Sequence, residues 1–196
     1  MTDLSHKPTL PNDTVRNTVW IAVAMLLTMV ALKMLGRIVW CECGGWSPWS
    51  WDIWSSHNSQ HLIDPYFFSH VLHGFIFYAV LYFCWKSGSM VHRFRAAVLI
   101  EAAWELLENS PLIINRYREV TLAQDYFGDS IANSMFDILA CSLGFLLAHR
   151  LKPVHSVAIL VLTELIMTLA IRDCLLLNIL MLLCPIDAVR QWQSVH

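Results

Sequence analysis

The chain has 196 residues, of which 57% are hydrophobic and 14% charged, and its formal net charge is −2. A soluble domain of this size carries roughly a quarter charged residues, so this composition excludes an ordinary soluble fold and favours a protein embedded in the lipid bilayer. The near-neutral charge offers no basic surface, so we expect no nucleic-acid partner. No linker or repeat is visible, and the sequence predicts one integral membrane domain over residues 1–196.

Five apolar stretches are long enough to cross a bilayer, which takes about 20 residues in a helix. A polar N-terminal tail, residues 1–17, precedes the first stretch, and it lacks the short apolar core and cleavage site of a signal peptide. The predicted spans are residues 18–36, 66–85, 94–114, 130–148 and 154–171. The predicted fold class is therefore all-α, a polytopic transmembrane helix bundle of about five spans.

A sixth apolar run, residues 175–183, has about half the required length and ends near Pro185. We expect a short re-entrant or interfacial helix at this position. The alternative is a sixth span extended through residues 188–192, which would bury Asp187 and Arg190 in the bilayer.

The distribution of Lys and Arg among the loops predicts the orientation, because cytoplasmic loops carry an excess of these residues. One side has seven of them and the other about five, which favours a cytoplasmic N-terminus. The seven basic residues on the predicted cytoplasmic side are Lys7, Arg16, Lys86, Arg93, Arg95, Arg150 and Lys152. The loop 37–65 then faces outside, and its five tryptophans suit an aromatic belt at the outer interface, with stacking on a substrate as the alternative.

Ionisable residues within the predicted spans are numerous and share one depth. The second span carries His70 and His73 one helical turn apart, and the fifth carries Glu164. Spacings of three or four residues place the acidic groups of the third and fourth spans on single helix faces. These groups are Glu101, Glu105 and Glu108 in the third span, and Asp129 and Asp137 in the fourth. With alternating helix directions, all of them lie in the outer half of the bilayer.

The carboxylates at this depth cannot all remain bare anions, so they are protonated, paired with Arg116, Arg118 or Arg172, or bound to a cation. Perturbed pKa values of this kind suit acid–base catalysis. We interpret Glu105, Glu108, Asp129 and Asp137 as candidate catalytic groups. His70, His73 and Glu101 match the ligand types of zinc or another divalent metal. Hydrogen bonds that only fix helix packing explain the two histidines as well.

A second cluster contains Cys41, Cys43, His57 and His61, whose spacing resembles a Cys2His2 zinc site. An oxidising outer compartment would instead oxidise or pair these thiols. We expect the remaining cysteines to be small buried apolar residues; these are Cys84, Cys141, Cys174 and Cys184.

Several long strings resemble a bacterial family of multi-pass membrane proteins catalogued as domain of unknown function 2585. The matching strings are NSQH (58–61), SHVLHGF (69–75), LIEAAWELLENS (99–110), IINRYRE (113–119), DYFGDSIANS (125–134) and residues 171–193. The resemblance covers nearly everything after Gly36 and implies a location in the bacterial plasma membrane, but no particular activity. The family pattern often has an acidic residue at the position of His57, which weakens the Cys2His2 interpretation.

Three functions remain open from the sequence. The pocket could hydrolyse or transfer groups on a lipid-linked or amphipathic substrate with Glu105 or Glu108 as general base. It could instead bind protons or cations in a transporter, although few polar residues lie in the inner half of the spans. Finally, the polar cluster could lock the helices of a non-catalytic binding or assembly protein. No nucleotide-binding or protease motif is present in the sequence.

Overall fold

A computed structural model of the chain describes residues 11–120 and 126–194. Within these ranges the chain forms helices, and its β-structure is an isolated bridge between Trp49 and Ile63. The predicted all-α class is confirmed. The helices are α1 (Pro11–Met34), α2 (Phe67–Cys84), α3 (Met90–Glu108), α4 (Pro111–Val120), α5 (Ile131–Arg150), α6 (Pro153–Ile171), α7 (Leu175–Leu183) and α8 (Asp187–Gln193).

Four helices of the described chain are long and apolar enough to cross a bilayer. They are α1 from Arg16 onwards, α2, α5 and α6. Helix α3 has a comparable length of 19 residues, but it carries Arg93, Arg95 and three glutamates, so its composition alone does not mark it as a span. The chain therefore has the apolar helices of a membrane protein.

Two boundaries differ from the sequence prediction, whereas the short C-terminal helix has the predicted bounds. Helix α1 begins at Pro11, inside the predicted polar tail. Proline is tolerated at this position because the N–H groups of the first turn have no partner within the helix. The predicted span 94–114 is divided between α3 and α4, since the residue before Pro111 avoids the helical conformation. At the C-terminus, α7 and α8 are separate, with Pro185 between them. The nine residues of α7 extend only about 14 Å, so residues 175–192 do not form a continuous spanning helix.

Helices α2 and α5 form the central pair of the bundle, and two glycines allow their backbones to touch. A Cβ atom added at Gly74 would collide with the carbonyl oxygen of Cys141, and one added at Gly144 would collide with that of Val71. The close approach brings the His-bearing face of α2 against the Asp-bearing face of α5. Helices α1, α3 and α5 enclose a neighbouring apolar core around Leu32, Val98 and Ile138.

We expect Gly144→Ala to destabilise the protein by about 3 kcal/mol, the upper end of the range for overpacked cores. The added methyl group would meet backbone, which cannot rotate away as a side chain can. Thermal unfolding in detergent measures the effect. Leu143→Ala is the matched control because Leu143 is the preceding residue of α5 and is 48% exposed. Equal unfolding midpoints for the two variants would show that the α2–α5 contact is not as close as described.

Candidate metal and acid–base site

Two histidines of α2 and one glutamate of α3 form the centre of a buried polar cluster. His70 Nδ1 lies 2.6 Å from Glu101 Oε1, and His73 Nδ1 lies 3.1 Å from each oxygen of the same carboxylate. The side chain of Glu101 is fully buried, so the two histidines of α2 hold its carboxylate in place.

Two further carboxylates lie close to His70. Its Nδ1 atom lies 3.5 Å from Glu105 Oε1, and its Nε2 atom lies 3.9 Å from Asp137 Oδ2. Both oxygens of Glu105 are buried without a hydrogen-bond partner among the described residues, as are Glu108 Oε2 and Asp137 Oδ1. Leaving buried polar atoms unpaired is costly, so these oxygens require a proton, a water molecule or a cation.

Two groups of side chains in this cluster could hold a metal ion. In each group the candidate ligand atoms lie within 4.8 Å of one another. One group is His70, His73 and Glu101, and the other is His70, Glu105 and Glu108. The first is the set predicted from the sequence, so the structure brings the predicted ligands together.

Asp129 differs from the other acidic residues because both of its oxygens have donors. Asn109 Nδ2 donates to Oδ2 at 2.8 Å, and the Tyr126 hydroxyl donates to Oδ1 at 2.8 Å. Burial raises the pKa of Asp129, while the hydrogen bonds from Tyr126 and Asn109 oppose that rise. This arrangement suits a residue that orients Tyr126 rather than one that exchanges protons.

A cavity of about 520 Å³ adjoins the cluster, a volume typical of small-molecule sites. His70, His73, Glu108, Asp129 and Asp137 are among the polar residues that line it. Its wall also contains apolar and aromatic side chains, among them Ile53, Trp54, Ile76, Phe77, Trp104 and Leu107. The cavity therefore offers partners both for an ionic or hydrogen-bonding group and for a hydrocarbon group.

Several residues that line the cavity are exposed. Ile100, Ala103 and Leu107 of α3 line the cavity and are exposed on the surface, and their spacing places them on one helix face. Ile179 of α7 and Trp54 of the loop 37–65 are exposed as well and line the same cavity. The exposed part of the lining is therefore apolar at these positions.

Comparisons with known proteins identify the relatives of this chain. The profile of a family described as protein of unknown function (DUF2585) matches residues 32–195. The chain belongs to this family. It is 45% identical to a UPF0314 protein of Sinorhizobium fredii over 93% of this chain and 95% of that protein. It is 47% identical to a UPF0314 protein of Paracoccus denitrificans over 91% and 94% of the two chains. No solved structure matches it significantly.

The family membership inferred from the sequence strings is thus confirmed, and the matched region contains every candidate site residue of this DUF2585 chain. It also includes α7 and α8, five of whose residues line the cavity: Leu175, Asn178, Ile179, Leu182 and Gln193. The C-terminal segment therefore belongs to the same unit as the site.

Glu164 and the arginines have roles that differ from the expected ones. Glu164 does not line the cavity; its two oxygens accept hydrogen bonds from the backbone N–H groups of Leu175 and Leu176, at the start of α7. Arg116 donates to the backbone oxygen of Leu182 at 3.1 Å. Arg118 and Arg172 also donate to backbone oxygens, those of Tyr126 and Trp192. These contacts fasten the C-terminal helices and the 126–129 segment.

Two acidic residues on the cavity wall were missed by the sequence reasoning. Asp64 accepts hydrogen bonds from the backbone N–H groups of Ser59 and Tyr66, and burial raises its pKa to about 6. Asp173 accepts one from the hydroxyl of Tyr66 at 2.9 Å, and burial raises its pKa to about 6 as well. Both lie in loops, outside the apolar stretches in which ionisable residues were sought. For Asp64, its place just before the start of α2 was a usable signal of helix capping.

Proposed function

We propose that the chain is a membrane-embedded enzyme that hydrolyses or transfers a group of an amphipathic or lipid-linked substrate with the help of a divalent metal. The observation that carries the proposal is that two histidines and unpartnered buried carboxylate oxygens meet beside a cavity whose exposed lining residues are largely apolar. A merely structural cluster has no need of such a cavity.

In this proposal, His70, His73 and Glu101 hold the metal. Two imidazoles and one carboxylate form a known ligand set of catalytic zinc sites, in which a further position stays open. Both histidines line the cavity, so that position faces the substrate. A divalent cation would also balance the negative charge of the neighbouring carboxylates. The two histidines alone would leave the cluster with a net negative charge. When bound, the metal supplies a Lewis acid that activates water and polarises the substrate.

The general base in this proposal is Glu105, with Glu108 as the second candidate. Glu105 does not line the cavity, but neither of its oxygens has a hydrogen-bond partner in the described chain and one lies 3.5 Å from His70 Nδ1, so in this proposal it takes a proton from a water molecule held beside His70. Glu108 lines the cavity, and its Oε2 atom is buried without a hydrogen-bond partner among the described residues. Asp137 Oδ2 lies 3.9 Å from Nε2 of His70, where it would hold the proton on Nε2 and leave Nδ1 of the neutral imidazole to bind the metal. Asp129 positions Tyr126 at the cavity wall.

The cavity lining supports an amphipathic substrate. A molecule with an acyl or polyprenyl chain could enter from the bilayer through an apolar lateral entrance beside Ala103 and leave its chain among the apolar wall residues. Its polar group would then meet His70 and Glu108. A fully water-soluble substrate would gain nothing from an entrance of this kind.

The proposed setting is the bacterial plasma membrane, with α3 as a fifth span and the N-terminus in the cytoplasm. Helix α3 has 19 residues, about 28 Å in length, which is close to the thickness of the hydrocarbon core. Its Glu101 and Glu105 are fully buried against other helices rather than facing lipid. With the Lys and Arg bias of the loops, this topology puts the Trp-rich loop (37–65) and the site in the outer half of the bilayer.

A direct test incubates the purified protein, in lipid nanodiscs, with polar lipids extracted from a related bacterium, and follows the products by mass spectrometry. Protein loaded with zinc should release a new head group or form a new lipid, and protein treated with a chelator should not. The His70→Ala/His73→Ala variant lacks two of the proposed metal ligands, so it controls for activity that comes from metal bound at another site. Stoichiometric lipid binding without any product, with or without zinc, would overturn the enzymatic proposal in favour of a binding protein.

A further inference from the structure

A second group of metal-ligand side chains meets within the Trp-rich loop, away from the cavity described above. Cys41 Sγ lies 3.2 Å from His57 Nδ1, and Cys43 Sγ lies 3.8 Å from His61 Nε2. All four ligand atoms lie within 4.8 Å of one another. Residues far apart in the loop therefore converge on one point in a segment without regular secondary structure.

These distances fit the dimensions of a tetrahedral zinc site. Zinc binds thiolate sulfur at about 2.3 Å and imidazole nitrogen at about 2.0–2.1 Å, so a sulfur and a nitrogen on one ion lie roughly 3.6 Å apart. The two sulfur–nitrogen distances of the loop, 3.2 and 3.8 Å, lie on either side of this value. The six cysteines, all within the described ranges, are free thiols.

The surroundings of the four side chains support metal binding independently. The backbone N–H of Cys43 donates to Cys41 Sγ, and that of Gly45 donates to Cys43 Sγ, each at 3.4 Å. Such N–H donors stabilise the thiolate form that binds metal. Nδ1 of His61 lies 2.6 Å from the backbone oxygen of Ser47. That contact fixes the proton on Nδ1 and leaves Nε2, the atom facing Cys43, available as a ligand.

We propose that Cys41, Cys43, His57 and His61 bind one zinc ion as a structural site with four protein ligands. Each thiol transfers its proton to solvent as its sulfur bonds to the metal, while the histidines bind in the neutral form. A site with two thiolates and two imidazoles has no open position for a substrate, so its role is to hold the loop.

The loop in turn forms part of the cavity wall. Asn133, on α5, donates to the backbone oxygen of His61 at 2.9 Å. The side chain of Gln60 donates to the backbone oxygen of Gly128 at 2.7 Å, and the N–H of Ser130 donates to the oxygen of Ser59 at 2.9 Å. A zinc ion on His61 would therefore secure the segment that places Asp129 at the site.

The test uses cobalt as a spectroscopic probe of the full-length protein, purified in detergent under reducing conditions without chelators. Tetrahedral cobalt bound to thiolate gives a charge-transfer band in the near ultraviolet and strong bands in the red. We expect these bands in the wild type and in His70→Ala/His73→Ala, because the latter change leaves the loop intact. They should be absent from Cys41→Ser/Cys43→Ser and retained in Cys84→Ser/Cys184→Ser, which removes two exposed thiols elsewhere.

A second measurement needs no mutation. The exposed thiol of Cys43 should be alkylated about tenfold faster after zinc is removed by a chelator, because a metal-bound thiolate reacts slowly. Wild-type protein that gives no thiolate–cobalt bands overturns the proposal, as does an alkylation rate unaffected by zinc. The proposal is also overturned if Cys41 and Cys43 form a disulfide and the protein takes up no metal after that disulfide is reduced.

Discussion

Replacing Glu105 with glutamine is expected to lower turnover by about 10²–10⁴-fold, the range for loss of a general base. Glutamine keeps the size of the side chain but cannot accept a proton, and the carboxylate that it replaces is fully buried beside His70. The expected result is therefore a loss of product formation in the lipid-extract assay with little change in the amount of metal bound. The turnover rate and the metal content are measured on the same preparations.

Glu119→Gln is the matched control for this change. Its side chain is 69% exposed on α4 and pairs with Arg116 at 4.0 Å, outside the cavity. That variant should react at the wild-type rate. Full turnover in Glu105→Gln would remove Glu105 as the base, and full turnover in Glu108→Gln as well would contradict the assignment of a base to α3.

Ala103→Trp is expected to lower kcat/KM for a lipid-linked substrate by about 10²-fold, the scale of effects that follow from displaced substrate. Ala103 lines the cavity and is exposed. An indole ring at this position would narrow the proposed lateral entrance beside α3. Because the change leaves all three proposed metal ligands in place, the metal content should remain that of the wild type.

Leu99→Trp places the same bulk on a different face of α3. Leu99 is 49% exposed and does not line the cavity, so this variant should retain wild-type kinetics. A comparison of lipid-linked and short-chain water-soluble substrates adds a second criterion. If Ala103→Trp slows both substrate types equally, or neither, substrate does not enter through the proposed lateral entrance.

The helical periodicity of α3 was the most informative feature of the sequence. The spacing of Glu101, Glu105 and Glu108 placed them on one face, and the structure brings all three to His70. The four apolar helices could be predicted for a related reason, because hydropathy over about 20 residues is a strong signal. The pairing of α2 with α5 was not predicted, since two isolated glycines, Gly74 and Gly144, carry no signal about which helix they meet.

Loop residues were the main source of error. Asp64 and Asp173 lie outside the apolar stretches, and their positions on the cavity wall depend on turns formed by distant segments. Glu164 shared the predicted depth of the other acidic groups, yet its helix α6 turns it toward the backbone of α7. The meeting of Cys41 and Cys43 with two histidines likewise depends on the path of an irregular loop. Local spacing cannot determine such a path.

The functional account depends on one physical claim, that His70 and His73 hold a metal ion beside the cavity. Inductively coupled plasma mass spectrometry on detergent-purified protein, prepared without chelators, tests it most directly. The account predicts that wild-type protein contains one more equivalent of zinc, iron or manganese than folded His70→Ala/His73→Ala protein, whatever the loop cysteines bind. Equal metal contents in the two folded proteins would contradict it and leave a cluster that only handles protons, binds a ligand or fixes the helices.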